Sequence, residues 1–165
     1  MSRPDLEIRP QQAADEDAVW SVLEAVIRSG EAFVNEPDAD RDDVLASWRV
    51  PDGGNFVAEL DGRVIAAFYV KANSVGLSSH VANASFAVGP EARGHGVGRA
   101  IGEFAIEEAR RRGFTAMQFN AVVSTNTGAI ALWRELGFDV IGRIPDAFRR
   151  RGESFVDTLV MHRAL

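Results

Sequence analysis

The sequence predicts one α/β domain, a mixed and mostly antiparallel sheet of about seven strands flanked by about four helices. Three observations carry this expectation. Apolar runs of strand length alternate with segments whose apolar residues recur at helical spacing. Asp61-Gly62 separates two such runs, the signature of a tight hairpin turn. Gly94, Gly96 and Gly98 lead from a strand-like run straight into a charged amphipathic segment, "ARGHGVGRAIGEFAIEEARRRGF". With 165 residues the chain can bury one substantial core but not comfortably two, so a single domain over 1–165 is expected.

The elements follow in order. "LEIRP" reads as a strand ended by Pro10. "DEDAVWSVLEAVIRSG" reads as a helix, with Val19, Val22, Leu23 and Val26 on one face and Gly30 as C-cap. "EAFVNEPDAD" is a polar loop, and "RDDVLASWRV" a short helix closed by Pro51. "NFVAEL" and "RVIAAFYVKA" form the hairpin about Asp61-Gly62. "HVANASFAVG" is a strand that feeds the glycine-led helix. "TAMQFNAVVS" is a strand, "NTGAIALWRELG" a helix, and "FDVIGRI" and "ESFVDTLVMHRAL" are the last two strands.

Composition removes several function classes. There is no cysteine, hence no disulfide scaffold, thiolate metal site or Cys nucleophile. His80, His95 and His162 are too scattered to suggest a metal site. The N-terminus lacks the apolar core of a signal peptide, and no apolar run approaches a membrane span, so a cytoplasmic chain with no membrane partner is expected. A net charge of −6 argues against a nucleic-acid partner.

The glycine turn points to an anion. A turn between a strand and a helix aims several N–H groups outward at the positive end of the helix dipole. Glycine allows positive φ and lets a ligand approach the backbone. The P-loop spacing fails, because the chain has no Gly-Lys pair, and the dinucleotide fingerprint fails because the glycines run G-x-G-x-G. The alternative is close packing of the helix on its neighbours, which Gly98 and Gly102, one turn apart, could serve alone.

"RGHGVG" at Arg93–Gly98 fits the R/Q-x-x-G-x-G/A signature of the GCN5-related N-acetyltransferases, and "NTGAIALWRELGF" resembles that family's second cofactor motif. The resemblance implies acetyl-CoA as cosubstrate and a sheet whose strands splay where it binds. The amides of Arg93, Gly94, His95, Gly96, Val97, Gly98 and Arg99 would hold the pyrophosphate. The strand at Phe86, Ala87 and Val88 would pair with the pantetheine arm. Asn126 would cap its helix and contact the cofactor. Many relatives have a tyrosine acid where this chain has Trp133, whose indole N–H cannot give up a proton in this chemistry. Packing on the stripe of Ala129, Leu132 and Leu136 is its main expected role, beside the cofactor.

At the acceptor end the candidate bases are His80, Glu31 and Glu36, each with solvation as the bland alternative. Asn83 and Asn120 are more informative. Asparagine is depleted in strand interiors, and a buried amide must find partners. On adjacent strands, the two either line the cleft or bridge the strands. "QFNAVVSTN", "LWRELGF" and "IGRIPDAF" together resemble the proline-analogue acetyltransferases, typified by the yeast L-azetidine-2-carboxylate enzyme and its bacterial relatives. That resemblance places a substrate carboxylate at Asn83 and the reacting amine at Asn120. It implies acetyl transfer to a small-molecule amine, an amino acid or proline analogue, and leaves a homodimer open; with no Cys and no Ser or His in a nucleophile–base pattern, direct attack is expected. The other readings are a protein or peptide N-acetyltransferase and a non-catalytic acyl-CoA sensor.

Overall fold

A computed structural model describes residues 6–151 and 154–165. Strand β1 (Leu6–Pro10) is followed by helix α1 (Glu16–Ser29), which a 3-10 turn at Ala13–Asp15 introduces. Val19, Val22, Leu23, Val26 and Ile27 are its buried face, and Gly30 ends it in the left-handed region at φ 65°. Helix α2 (Arg41–Trp48) is capped by Asp40, whose carboxylate accepts from the N–H of Asp42 at 2.9 Å and of Asp43 at 3.2 Å. It stops at Trp48, short of the expected Pro51, because the chain turns extended at Arg49.

Strands β2 (Asn55–Leu60) and β3 (Arg63–Ala72) meet at Asp61 and Gly62, with φ of 50° and 76°, the two positive values of a type I′ turn. The remaining elements are β4 (Val81–Val88), α3 (Val97–Arg111), β5 (Ala116–Val123), α4 (Thr127–Glu135), β6 (Asp139–Arg150) and β7 (Ser154–Ala164). Strand β6 runs past Ile144, where its apolar pattern ends, because β7 pairs with it as far as Arg150. Its register slips between Ile144 and Phe148, around Pro145, which has no N–H to give to a ladder. The expected start of the last strand, Glu153, lies outside the described residues.

The seven strands run in the order β1-β2-β3-β4-β5-β7-β6. Every neighbouring pair is antiparallel except β4–β5. That parallel pair has two matched positions, Val81 with Ala116 and Ala82 with Met117, after which the strands part. Helices α1 and α2 cover one face, packing on Val57, Ala67 and Ala87. Helices α3 and α4 cover the other, packing on Phe56, Phe68, Ala84 and Phe119.

The seam between α3 and α4 shapes the wall of the fork. At Gly102 a Cβ would come within 2.8 Å of Leu136 Cδ1 and 3.0 Å of Trp133 Cζ3. Gly102 is therefore a packing glycine. Gly102→Val should lower stability by about 1–3 kcal/mol in urea unfolding. Unchanged stability would show that the seam has room the geometry denies.

Candidate active site

The fork is built from backbone. Asn73 N–H donates to the Val81 carbonyl and Gly89 N–H to the Ile65 carbonyl, each at 2.8 Å. Between these bonds, Asn83 faces Lys71, Ser85 faces Tyr69 and Ala87 faces Ala67. The alternation of an antiparallel ladder then assigns directions: odd-numbered residues of β4 turn their polar backbone groups to β3. Ala84, Phe86 and Val88 turn theirs towards β5, which no longer pairs with them. Ala87, expected among the cofactor contacts, does not face the fork. Its backbone serves Ala67, and its side chain is fully buried under α1.

The glycine turn stands at the mouth of the fork. Gly94 and Gly96 have φ of 79° and 73°. Nothing lies within 4 Å of a Cβ built on either, so backbone conformation and open approach require glycine there, not packing. Gly96 caps α3, whose first helical bond runs from Ala100 N–H to the Gly96 carbonyl at 3.1 Å. The amides of Val97, Gly98 and Arg99 precede that bond and have no helical acceptor. His95 is exposed, and its N–H reaches the Ala92 carbonyl at 3.4 Å.

A cleft of about 470 Å³ joins the fork to this turn. Phe86 and Val88 form one side, Gly98 and Arg93 the turn end, and Asn126, Leu132 and Trp133 the α4 wall. Val26, Ser29 and Glu31 close it from α1 and the loop beyond. Asn126 caps α4, its Oδ1 accepting from Ala129 N–H at 3.3 Å, so the cap role and a place on the cleft coexist. Trp133 is a packing residue first: its ring lies 4.9 Å from Phe86 and 4.7 Å from Phe119. Arg93 is exposed, with no ion pair among the described residues. Arg99 instead bonds Glu135 and lies 3.8 Å from Glu103, tying α3 to α4. Open glycine backbone, first-turn amides and a free arginine fit a phosphate, and the unpaired edge of β4 fits an extended amide-bearing arm. These are the parts that acetyl-CoA requires.

On the α1–α2 face the two asparagines do come together at the fork. Asn83 Nδ2 donates to the Gln118 carbonyl at 2.9 Å, bridging β4 to β5 just beyond their last matched pair. Asn120 is exposed at a register slip of β5, between Phe119 and Val122. Its Nδ2 donates to Asn73 Oδ1 at 2.7 Å, and its Oδ1 accepts from Gln118 Nε2 at 2.9 Å. Gln118 and Asn73 escaped the sequence reading. The period of two in "MQFNAVV" places Gln118 on the face of Asn120, but nothing local marks Asn73.

The candidate bases are placed differently. His80 is exposed just before β4. Glu31 bonds Arg150 and Glu36 bonds Arg149, so both carboxylates tie the loop after α1 to β6. Tyr69, whose ring packs 5.0 Å from Trp48, bonds Ser85; burial pushes its phenol up and the bond to Ser85 opposes that shift. The phenol therefore stays protonated at neutral pH. Removing the bridge between the strands has a defined cost. Asn83→Ala should lower stability by about 1 kcal/mol without any ligand, because it strands the Gln118 carbonyl. A urea-unfolding midpoint equal to that of the unaltered protein would contradict the bridge.

Comparison with known proteins agrees with this geometry. The model of the Acetyltransferase (GNAT) family matches residues 20–138. N-acetyltransferase aca1 of Schizosaccharomyces pombe is 40% identical over 111 residues, which are 67% of this chain and 53% of that protein. The chain thus spans about half the length of this relative. A GCN5-related N-acetyltransferase from Kribbella flavida superposes with a TM-score of 0.91 at 40% identity, covering 97% of this chain and 98% of that one. A GNAT superfamily phosphinothricin acetyltransferase from Sinorhizobium meliloti, solved in complex with acetyl-CoA, superposes with a TM-score of 0.87 at 25% identity, covering 97% and 88%. With its forked sheet, its glycine turn and a matching family model over most of its length, the chain belongs to the GNAT acetyltransferase family.

Proposed function

We propose that the protein transfers the acetyl group of acetyl-CoA to the amine of a small amino acid or proline-type analogue, by direct attack. The observation that carries the reading is the unpaired edge of β4 opening onto the glycine turn through one cleft. Bound there, acetyl-CoA brings a thioester whose acyl carbon an amine can attack. Around it the chain does four things. The amides from Gly94 to Arg99, with Arg93, hold the pyrophosphate. The N–H groups of Phe86 and Val88 bond the pantetheine arm and steady the acyl oxygen as it gains charge. Asn126 contacts the cofactor beside its cap bond.

On the other side of the fork Asn120 meets the acceptor nitrogen, and the acceptor's carboxylate lies at Asn83. Neutral amides suit a zwitterion, whose charges need placing rather than neutralising. Trp133 stands where a tyrosine would protonate the departing thiolate, but its indole N–H keeps its proton. The C–N bond forms as the C–S bond breaks, the amine proton goes to water, and the thiolate leaves unaided. The relative named for phosphinothricin and the resemblance of "QFNAVVSTN" to the proline-analogue enzymes support an amino-acid acceptor.

Thiol release from acetyl-CoA with a panel of amino acids, amines and peptides tests the reading. Amino acids should react, and intact-mass spectra of the protein mixed with acetyl-CoA alone should show no acetyl adduct. Gly96→Val should fold but lose thermal stabilisation by acetyl-CoA, because a branched side chain would fill the approach to the turn and strain its positive φ. Thiol release with no amine at all, or undiminished cofactor binding by folded Gly96→Val, would overturn the reading.

A further inference from the structure

Among 18 basic residues the chain has one lysine, Lys71, and it stands on the face of the sheet that carries the two asparagines. Strand alternation settles the face. Val70, its neighbour, is fully buried against α3 and α4, so Tyr69 and Lys71 point to the α1–α2 side. The Lys71 ammonium confirms it by lying 5.0 Å from the centre of the Tyr69 ring. Lys71 is directly across from Asn83, and Asn83 bonds the Gln118 carbonyl. Lys71, Asn83 and Gln118 therefore form one polar row across β3, β4 and β5 at the apex of the fork. Asn73 and Asn120 lie next to it on the open side, and Tyr69, Trp48 and Phe33 form an aromatic wall on the other.

Charge on this row is unbalanced. Thirteen ion pairs connect arginines to carboxylates among the described residues, and Lys71 takes part in none. It is half-buried, and no carboxylate faces its ammonium as a fixed counter-charge among the described residues. Asn83, meanwhile, has its amide engaged in joining the strands and cannot by itself neutralise an anion. A carboxylate brought to the Asn83 end of the row would meet the ammonium across one strand spacing.

We infer that Lys71 binds the carboxylate of the amino-acid acceptor and so selects carboxylate-bearing amines; the inference rests on the acetyltransferase reading above. Lys71 is a specificity residue in this account and does not touch the reacting bond.

The test compares amino acids with their decarboxylated amines, L-azetidine-2-carboxylate with azetidine and proline with pyrrolidine, by thiol release. Lys71→Met should raise KM for the amino acids by about tenfold or more and leave the amines and acetyl-CoA nearly unchanged. Lys71→Arg should retain most of the preference, and thermal melts of both variants check folding. Added salt should raise KM for the amino acids in the unaltered protein and have little effect in Lys71→Met. With coenzyme A present, L-azetidine-2-carboxylate should stabilise the unaltered protein against heat, and Lys71→Met far less. An equal change for acid and amine, equal turnover of both by the unaltered protein, turnover of peptides only, or acetylation of Lys71 itself would overturn the inference while the acetyltransferase reading stands. Absence of thiol release with every amine would overturn that reading first, and this inference with it.

Discussion

Two strands that stop pairing govern this molecule. Strands β4 and β5 match at two positions and then separate, which leaves the outward N–H and C=O groups of Ala84, Phe86 and Val88 without a strand partner. Backbone groups left unpaired inside a protein cost about 1–3 kcal/mol each, so such an edge persists only where water or a ligand can reach it. The separation is held open from behind. Phe86, Phe119, Trp133 and Phe138 pack ring to ring beneath the fork, with Phe119 stacked 4.4 Å from Phe138. Their rings fill the space beneath the parted strands. Asn83 does the opposite at the apex, where its bond to the Gln118 carbonyl pins the strands together.

The fork also divides the chemistry between the two layers. The glycine turn and α4 lie on the α3–α4 side and offer amides, an arginine and a helix cap. The row of Lys71, Asn83 and Gln118 lies on the α1–α2 side and offers side-chain amides and one cation. A thioester held along β4 and an amine held on the opposite row can meet only through the gap between the strands. The loop after α1 overhangs that gap, tied to β6 by the pairs Glu31–Arg150 and Glu36–Arg149. These carboxylates are candidate bases in the sequence, yet the structure employs them as fasteners.

Much of this was legible in the chain. The ends of β1, β2 and β3 are where alternation and the Asp61-Gly62 pair put them, because local turn chemistry and period determine them. The glycine turn was legible because positive φ favours glycine, and glycine stands at both positions that need it, Gly94 and Gly96. Less visible was anything set by partners distant in sequence. The extension of β6 to Arg150 depends on β7. The bond of the Arg99 guanidinium to Glu135 joins two helices that the sequence alone does not place side by side. Ala87 looked like its neighbours Phe86 and Val88, and only the phase of the β3–β4 ladder turned it away from the fork. Asn73 and Lys71 became part of a site only when pairing brought them beside Asn120 and Asn83.

Acetyl-CoA held along the free edge of β4 and on the amides of the glycine turn would shield those N–H groups from solvent. Residue-resolved amide hydrogen exchange, with and without acetyl-CoA, tests it most directly. New protection is expected at Phe86 and Val88 and across Gly94 to Arg99, with Ala87 already protected in both states by its pairing to Ala67. Protection that leaves these amides unchanged while acetyl-CoA is demonstrably bound would contradict it.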